Sequence, residues 1–334
     1  MRYLLLLHLL LIAILVAGCV SSGTELIPVD KLPTRQPSTT VSFPETDIAS
    51  RDPISTTPST LATRTPSITP ESDIIITTNT ATPPPTLSPD AWMSMPVLPD
   101  VSDRVVEIYQ KGLEMGNNPR GFSKVGDCGS TPAWFLGNFD LNPKYYSLGE
   151  YQYLEPIIQE FQGSFERTSL AAKSGFNASS IFAPIWANRE FCQPGESPLA
   201  CEYRNHKPMF AFITLGTNDI WHPEEFEPQM RNIIETSIEN GVIPILSTKA
   251  DNLEGDHYIN ATIAKLAVEY EIPLWNFWLA VQPLPNHGLQ KDGAHLTWGP
   301  TKFDDPRALQ TAWTIRNLTA LQVLDAVWQK ASSP

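Results

Sequence analysis

The chain has 334 residues, and acidic residues outnumber basic ones 36 to 23, which gives a formal net charge of −13 at pH 7. This balance excludes nucleic-acid binding as a main function, since phosphate backbones are bound by basic surfaces. It also argues against electrostatic docking on anionic lipid. Thr, Ser and Pro dominate from about residue 20 to residue 98, and the rest of the chain is long enough for one domain with a sizeable core.

The N-terminus carries a short apolar segment that predicts an export signal over residues 1–19. The run from Leu4 to Ala17 is shorter than the ~20 residues that span a bilayer comfortably. Its ending, Leu15 to Cys19, resembles the lipobox of bacterial lipoproteins. The resemblance implies cleavage before Cys19, lipidation of Cys19, and an extracytoplasmic protein held at the cell membrane by its N-terminal lipid. An uncleaved anchor or an ordinary signal peptide is the alternative.

The segment that follows predicts a disordered linker over residues 20–98. Its many prolines, with Pro83, Pro84 and Pro85 in a row, and its low hydrophobicity leave too little burial to offset the entropy of ordering. We interpret it as a spacer that holds a folded domain, predicted over residues 99–334, away from the membrane.

The pattern of apolar residues beyond the linker predicts alternating helices and strands. Met209 to Leu215 is a nearly continuous apolar run, as expected of a central parallel strand. Strands are predicted over residues 122–125, 165–171, 209–215, 242–246 and 272–275, and helices over residues 101–115, 153–161, 223–240, 257–270 and from 304 onward. This alternation predicts a parallel sheet with helices on both faces, in which a site forms at the carboxyl ends of the strands.

Three motifs fall at those predicted strand ends or in the loops beyond them: Lys124–Ser130, Gly216–Asp219 and Asp292–His295. Together they resemble three of the four motif blocks of the SGNH/GDSL hydrolases, and Ser174–Ala178 is the best match to the fourth. The resemblance covers most of the predicted domain. It implies a flavodoxin-like, three-layer α/β/α sandwich with a mostly parallel central sheet of about five strands, and an acyl hydrolase that needs no cofactor.

The resemblance also implies a role for each motif residue. Cys128 stands where the family has its nucleophilic serine, His295 is the candidate base, and Asp292 is the candidate carboxylate that orients the imidazole. The backbone N–H groups of Cys128 and Gly175 and the side-chain amide of Asn218 are the candidate oxyanion-hole donors. A thiol keeps the geometry of the serine hydroxyl and changes the chemistry, because a neighbouring histidine readily converts it to a thiolate.

Two alternatives stand beside this hypothesis. Ser130 is a second candidate nucleophile, ranked lower because a Gly-Asp turn presents the residue that follows it directly. Alternatively, Cys128 is an inert thiol in an inactive domain whose cleft binds glycan or lipid. For the active enzyme, the expected substrate is a small-molecule or carbohydrate ester, with O-acylated carbohydrate first, an expectation from location and family analogy.

The remaining cysteines and histidines carry further expectations. Cys192 and Cys201 bracket a turn-rich loop, and an exported chain permits a disulfide there, worth ~2–3 kcal/mol; two thiols are the alternative. No metal site is predicted. The other histidines of the predicted domain, which lack metal-ligand spacing, are His206, His222, His257 and His287.

Three tryptophans follow the motifs closely in sequence: Trp134, Trp221 and Trp298. Exposed at one cleft, their rings would form flat platforms for sugar rings. Because tryptophan is usually largely buried, we expect core packing for at least two of them.

Overall fold

The computed structural model describes residues 88–333, so the predicted signal peptide, Cys19 and most of the predicted linker lie outside the described residues. Within this range no helix is both long and apolar enough to cross a membrane. The strands are β1 (Asn118–Gly126), β2 (Pro208–Thr214), β3 (Ile243–Ser247) and β4 (Leu274–Trp275). The α-helices are α1 (Arg104–Glu114), α2 (Glu155–Glu160), α3 (Pro198–His206), α4 (Pro223–Glu239), α5 (Tyr258–Glu269), α6 (Phe277–Val281) and α7 (Ala312–Ser332).

The four strands form one parallel sheet in the order β1-β2-β3-β4. Val125 pairs with Ile213, Ile213 with Leu246, and Leu246 with Leu274, so one row of apolar side chains crosses the sheet. Helix α1 packs against α7, and α4 packs against α5. The predicted α/β/α architecture is confirmed, with four strands in place of about five.

The missing strand is the segment 165–171, which the sequence predicted to be extended and paired. Only an isolated parallel bridge, between Gly126 and Ala172, marks its place beside β1. A side chain distant in sequence takes the backbone group that a ladder would use, because the Glu202 carboxylate accepts the N–H of Leu170 at 2.7 Å. Since each backbone donor needs only one partner, Leu170 does not offer its N–H to a neighbouring strand.

The folded domain also begins before the predicted boundary at residue 99. A helical turn at Ala91–Ser94 buries Trp92, which is 2% exposed. The Asn276 side chain donates to the carbonyl oxygens of Trp92 and Met95, each at 2.9 Å. Apolar side chains within the Pro-rich composition therefore join the core, and residues 88–98 are not part of a disordered linker.

Helix α7 starts later than predicted, at Ala312 rather than near residue 304. Asp305 instead forms a turn in which its carboxylate accepts the N–H of Arg307 at 2.9 Å. The N–H of Ala312 donates to the Thr297 hydroxyl at 2.9 Å, which fixes the start of α7 beside the segment that follows the third motif.

The parallel sheet brings three loops to one edge. Strand β1 leads into Asp127 and Cys128, β2 into Gly216–Asp219, and β3 into residues 248–251. Because all strands point the same way, these loops lie together at the carboxyl ends of the strands, where α/β sheets form their sites.

Candidate active site

A cavity of about 660 Å³ opens at this edge of the sheet. Four candidate residues from four separate motifs line it: Cys128, Gly175, Asn218 and His295. Its volume is within the usual range of small-molecule sites. The structure therefore brings together residues that lie more than a hundred positions apart in sequence.

The turn that carries Cys128 is shaped by the two residues before it. Gly126 has no room for a side chain, since an added Cβ would lie 2.2 Å from the Ser130 hydroxyl and 2.8 Å from the Thr214 carbonyl oxygen. The Asp127 carboxylate accepts the N–H of Gly129 at 2.8 Å, which caps the 3-10 turn Cys128–Ser130. This turn leaves Cys128 half-buried at the cavity wall.

Ser130, the second candidate nucleophile, does not lie at the cavity surface. Its side chain is fully buried, and its hydroxyl is hydrogen-bonded to the Thr214 hydroxyl at 2.5 Å. The structure thus separates the two candidates, because it places Cys128 at the cavity and Ser130 in the packing between β1 and β2.

His295 and Asp292 form a hydrogen-bonded pair. His295 Nδ1 lies 2.6 Å from Asp292 Oδ2, and Asp292 Oδ1 accepts the N–H groups of Ala294 and His295, each at 3.0 Å. Partial burial pushes the pKa of Asp292 upward, but the hydrogen bonds from Ala294 and His295 outweigh it and hold that pKa below its ordinary value. An ionised Asp292 fixes the imidazole with Nδ1 as donor, so that Nε2 is the nitrogen able to accept a proton.

Hydrogen bonds join the loop that carries Asn218 to the loop that carries Gly175. Asn218 Nδ2 donates to the Phe176 carbonyl at 2.9 Å, which leaves its second amide hydrogen for a ligand. Asp219, buried below, accepts the N–H of Ala178 at 2.8 Å. Gly175 lies at the cavity surface with φ +83°, a backbone conformation that favours glycine.

Across the cavity, the wall after β3 contains a buried charged network. Lys249 Nζ donates to Asp251 at 2.6 Å and to Glu254 at 2.5 Å, and Thr217 donates to the other Asp251 oxygen at 2.8 Å. Lys249 is paired with both carboxylates, and the Thr217–Asp251 hydrogen bond joins this wall to the loop that carries Asn218.

Arg316 is a further cavity residue that the motifs do not include. It lies on α7, is 7% exposed, and donates from Nη1 to the Gly129 carbonyl at 2.8 Å. One sequence signal points to it. The apolar face of the last predicted helix contains Trp313 and Ala320, and an arginine three residues after one and four before the other falls on that face.

The expectation that at least two motif tryptophans pack in the core is wrong. Trp221 is 52% exposed and Trp298 is 67% exposed, and both line the cavity. Trp134 also lines it and stacks on Trp313 with ring centroids 5.5 Å apart. All three tryptophans lie in loops outside the helices and strands.

The predicted disulfide between Cys192 and Cys201 is confirmed, with an S–S distance of 2.05 Å. Within residues 88–333, these two sulfurs and the Glu196 carboxylate form the one group of at least three close potential metal ligands. Both sulfurs are bonded to each other and Glu196 is paired with Arg204 at 2.7 Å, so the group is a structural cross-link.

No protein-family model matches the chain, and no curated protein matches it. Among solved structures it is similar to a proposed lipolytic protein of the G-D-S-L family from Desulfitobacterium hafniense DCB-2, with 14% identity and a TM-score of 0.39 over 61% of this chain and 99% of that one. It is also similar to a GDSL-like lipase from Bacteroides thetaiotaomicron VPI-5482, with 15% identity and a TM-score of 0.39 over 66% of this chain and 98% of that one. For the psychrotrophic esterase EstA from Pseudoalteromonas sp., inhibited by monoethylphosphonate, the identity is 12% and the TM-score 0.35, over 53% of this chain and 87% of that one.

These likenesses are distant and carry no argument about activity. The structure itself shows an α/β fold with a parallel sheet and a cavity at the carboxyl ends of the strands, lined by Cys128, Gly175, Asn218 and His295.

Proposed function

We propose that this chain is an extracytoplasmic, lipid-anchored acyl-ester hydrolase of SGNH type, with Cys128, His295 and Asp292 as nucleophile, base and orienting carboxylate. One observation carries the proposal. Cys128 and His295 line the same cavity, and the imidazole is held by Asp292 at 2.6 Å. Nucleophilic acyl transfer uses a nucleophile, a base and a group that orients the base, and these three residues offer one of each.

In the first half-reaction, His295 Nε2 takes the proton of the Cys128 thiol, and the sulfur attacks the ester carbonyl carbon. The C–S bond forms as the carbonyl π electrons move to the oxygen, which gives a tetrahedral oxyanion. When the oxyanion collapses, the C–O bond to the alcohol breaks, and His295 returns the proton to the leaving alkoxide. A thioester on Cys128 and a free alcohol result.

In the second half-reaction, His295 Nε2 takes a proton from water, which attacks the thioester carbonyl. Collapse of this second oxyanion breaks the C–S bond, releases the carboxylic acid, and returns the proton to the sulfur. In both steps the N–H groups of Cys128 and Gly175 and the side-chain amide of Asn218 donate hydrogen bonds to the oxyanion. The Asn218 amide is already oriented by its bond to Phe176.

The rim supports a carbohydrate ester as substrate. The rings of Trp221 and Trp298 are largely exposed beside the cavity, and flat aromatic faces suit stacking against sugar rings.

The lipobox-like ending at Cys19 supports location at the membrane. Mass spectrometry of the mature N-terminus tests that location. Lipid on Cys19 supports it, and an unmodified Cys19 or cleavage elsewhere contradicts it.

Turnover of p-nitrophenyl acetate tests the reaction. We expect activity in the wild type, none above background in Cys128→Ala, and a large loss in His295→Ala. Ser130→Ala is the matched control, because it removes the other candidate nucleophile from the same turn and should keep most of the turnover. Activity that survives Cys128→Ala, or is abolished only by Ser130→Ala, would contradict the assignment. A folded wild type with no turnover that still binds glycan or lipid in the cleft favours a binding module.

A further inference from the structure

The guanidinium of Arg316 lies directly beside the turn that carries Cys128. Its Nη1 donates to the carbonyl of Gly129, the residue after the nucleophile, at 2.8 Å. The same nitrogen would lie 3.1 Å from a Cβ added to Gly129. Arg316 and Cys128 line one cavity, although 187 positions separate Arg316 from Gly129.

This cation is buried, and it forms no salt bridge with any carboxylate of residues 88–333. Aromatic rings surround it, with the Phe135 centroid at 4.6 Å, the Trp313 centroid at 5.1 Å and the Phe277 centroid at 5.8 Å. Its Nε is buried and has no hydrogen-bond partner in the described part of the chain. Burial lowers the pKa of Arg316 to about 10, and the charges of Asp127 and Cys128 oppose that fall, so the group stays charged at neutral pH.

We propose that Arg316 is a positioning residue that stabilises the thiolate form of Cys128 and so sets the pH at which the nucleophile becomes available. The inference rests on the proposed function only in taking Cys128 as the nucleophile. A buried cation beside a thiol favours the ionised form, because attraction between opposite charges is weakly screened away from water.

Two other charged groups belong to this end of the cavity: Asp127, which precedes Cys128 in the chain, and His295, which is paired with Asp292. Asp127 opposes thiolate formation when ionised, but burial raises the pKa of that carboxyl, with Arg316 acting in the other direction. A protonated His295 would favour the thiolate, yet its charge is shared with Asp292 at 2.6 Å.

The groups across the cavity supply no surplus positive charge, and Asp251 raises the pKa of Asp127. Lys249 is bonded to both Asp251 and Glu254, so the wall after β3 carries no net positive charge toward the thiol. Asp219, behind Asn218, has its pKa raised to about 6, chiefly by burial. Among these groups, Arg316 is the cation that no contacting carboxylate neutralises.

The test is the pH profile of Cys128 alkylation by iodoacetamide in the full chain, measured by mass spectrometry on the peptide that contains Cys128. This readout separates Cys128 from Cys19, and the disulfide keeps Cys192 and Cys201 unreactive. Arg316→Met removes the charge and suits the aromatic surroundings, and we expect the midpoint to rise by about one pH unit or more. Arg316→Lys keeps the charge and should shift the midpoint much less.

Arg307→Gln is the matched control, since it removes an exposed arginine from the segment before α7 and should leave the midpoint unchanged. Near-UV circular dichroism selects the variants that keep native packing, and Arg316→Gln replaces Arg316→Met where the latter does not. An unchanged midpoint in a folded neutral variant overturns the inference. So do equal shifts in the lysine and neutral variants, which indicate a purely structural role.

The outcome is independent of ester turnover. An inactive wild type whose Cys128 still shows the Arg316-dependent midpoint refutes the hydrolase proposal and leaves this inference standing. An active enzyme whose alkylation midpoint does not change when Arg316 is replaced refutes this inference and leaves the hydrolase proposal standing.

Discussion

Replacement of Asp219 by Asn should stabilise the protein at neutral pH. Asp219 is 4% exposed, accepts the N–H of Ala178 at 2.8 Å through Oδ1, and has no hydrogen-bond partner at Oδ2 in the described structure. Burial is the main reason that its pKa rises from 3.8 to about 6, and nearby Asp127 adds to the rise. Asparagine keeps the acceptor for Ala178 and removes the buried charge.

The size of the effect follows from that pKa. At about 1.4 kcal/mol per pKa unit, the rise corresponds to about 3 kcal/mol. Because the folded-state pKa is raised, the stability linked to the proton is fully present below pH 3.8 and is lost as pH rises through about 6. An unpartnered amide NH₂ at the Oδ2 position costs about 1–3 kcal/mol at every pH. The pH dependence of the difference is therefore the sharper quantity.

The assay is denaturant unfolding of the full chain, followed by tryptophan fluorescence. Between pH 7.5 and pH 4.5, the advantage of Asp219→Asn over the wild type should shrink by about 2 kcal/mol, or roughly 4–8 °C in melting temperature. Asp219→Ala is the control, because it also removes the charge but breaks the bond to Ala178 and should lower turnover. A difference that stays constant with pH, or grows toward acid, would refute the reasoning.

Three further predictions concern the site and its support. Asn218→Ala should lower kcat by roughly 10²–10³ with unfolding unchanged, and a loss below about tenfold would remove Asn218 from the oxyanion hole. Trp298→Ala should raise KM for an acylated sugar and leave KM for p-nitrophenyl acetate nearly unchanged, because the exposed ring offers stacking to the sugar; equal effects on both substrates would argue against the platform. Paired replacement of Cys192 and Cys201 by Ala should lower the free energy of unfolding by about 2–3 kcal/mol with kcat retained, and a loss of kcat at unchanged stability would contradict a structural role.

A cysteine nucleophile differs from a serine nucleophile in what it needs from a site. A serine stays protonated until the base removes its proton during attack, whereas a thiol can be ionised beforehand. A permanent buried cation favours such ionisation, and Arg316 donates to the Gly129 carbonyl at 2.8 Å, next to the thiol. In the proposed mechanism, the Cys128 thiolate is the nucleophile and the Arg316 charge stabilises it.

Local sequence patterns predict the central strands and the turn that carries Cys128, because each of these depends on residues close in sequence. Met209 to Leu215 became β2 with its apolar run buried, shifted by one residue, and Pro223 began α4. The Gly126–Asp127 pair produced the tight turn expected from its composition.

The failures share a different cause, which is contact between distant segments. Residues 165–171 are not a strand partly because Glu202 bonds to Leu170, and no local pattern encodes that bond. The turn that buries Trp92 is held by Asn276, which lies 184 positions away and donates to the Trp92 carbonyl. The role of Arg316 requires α7 to pack beside the Cys128 turn, which only the tertiary structure places there.

The most direct test of the central claim is capture of the acyl-enzyme. The full chain is mixed with p-nitrophenyl acetate, quenched in acid within the first turnovers, and its peptides are weighed by mass spectrometry. The account predicts one acetyl group on the peptide that contains Cys128, removed by hydroxylamine and absent in Cys128→Ala. Turnover with no acetyl on Cys128, or with the acetyl on another residue, would contradict it.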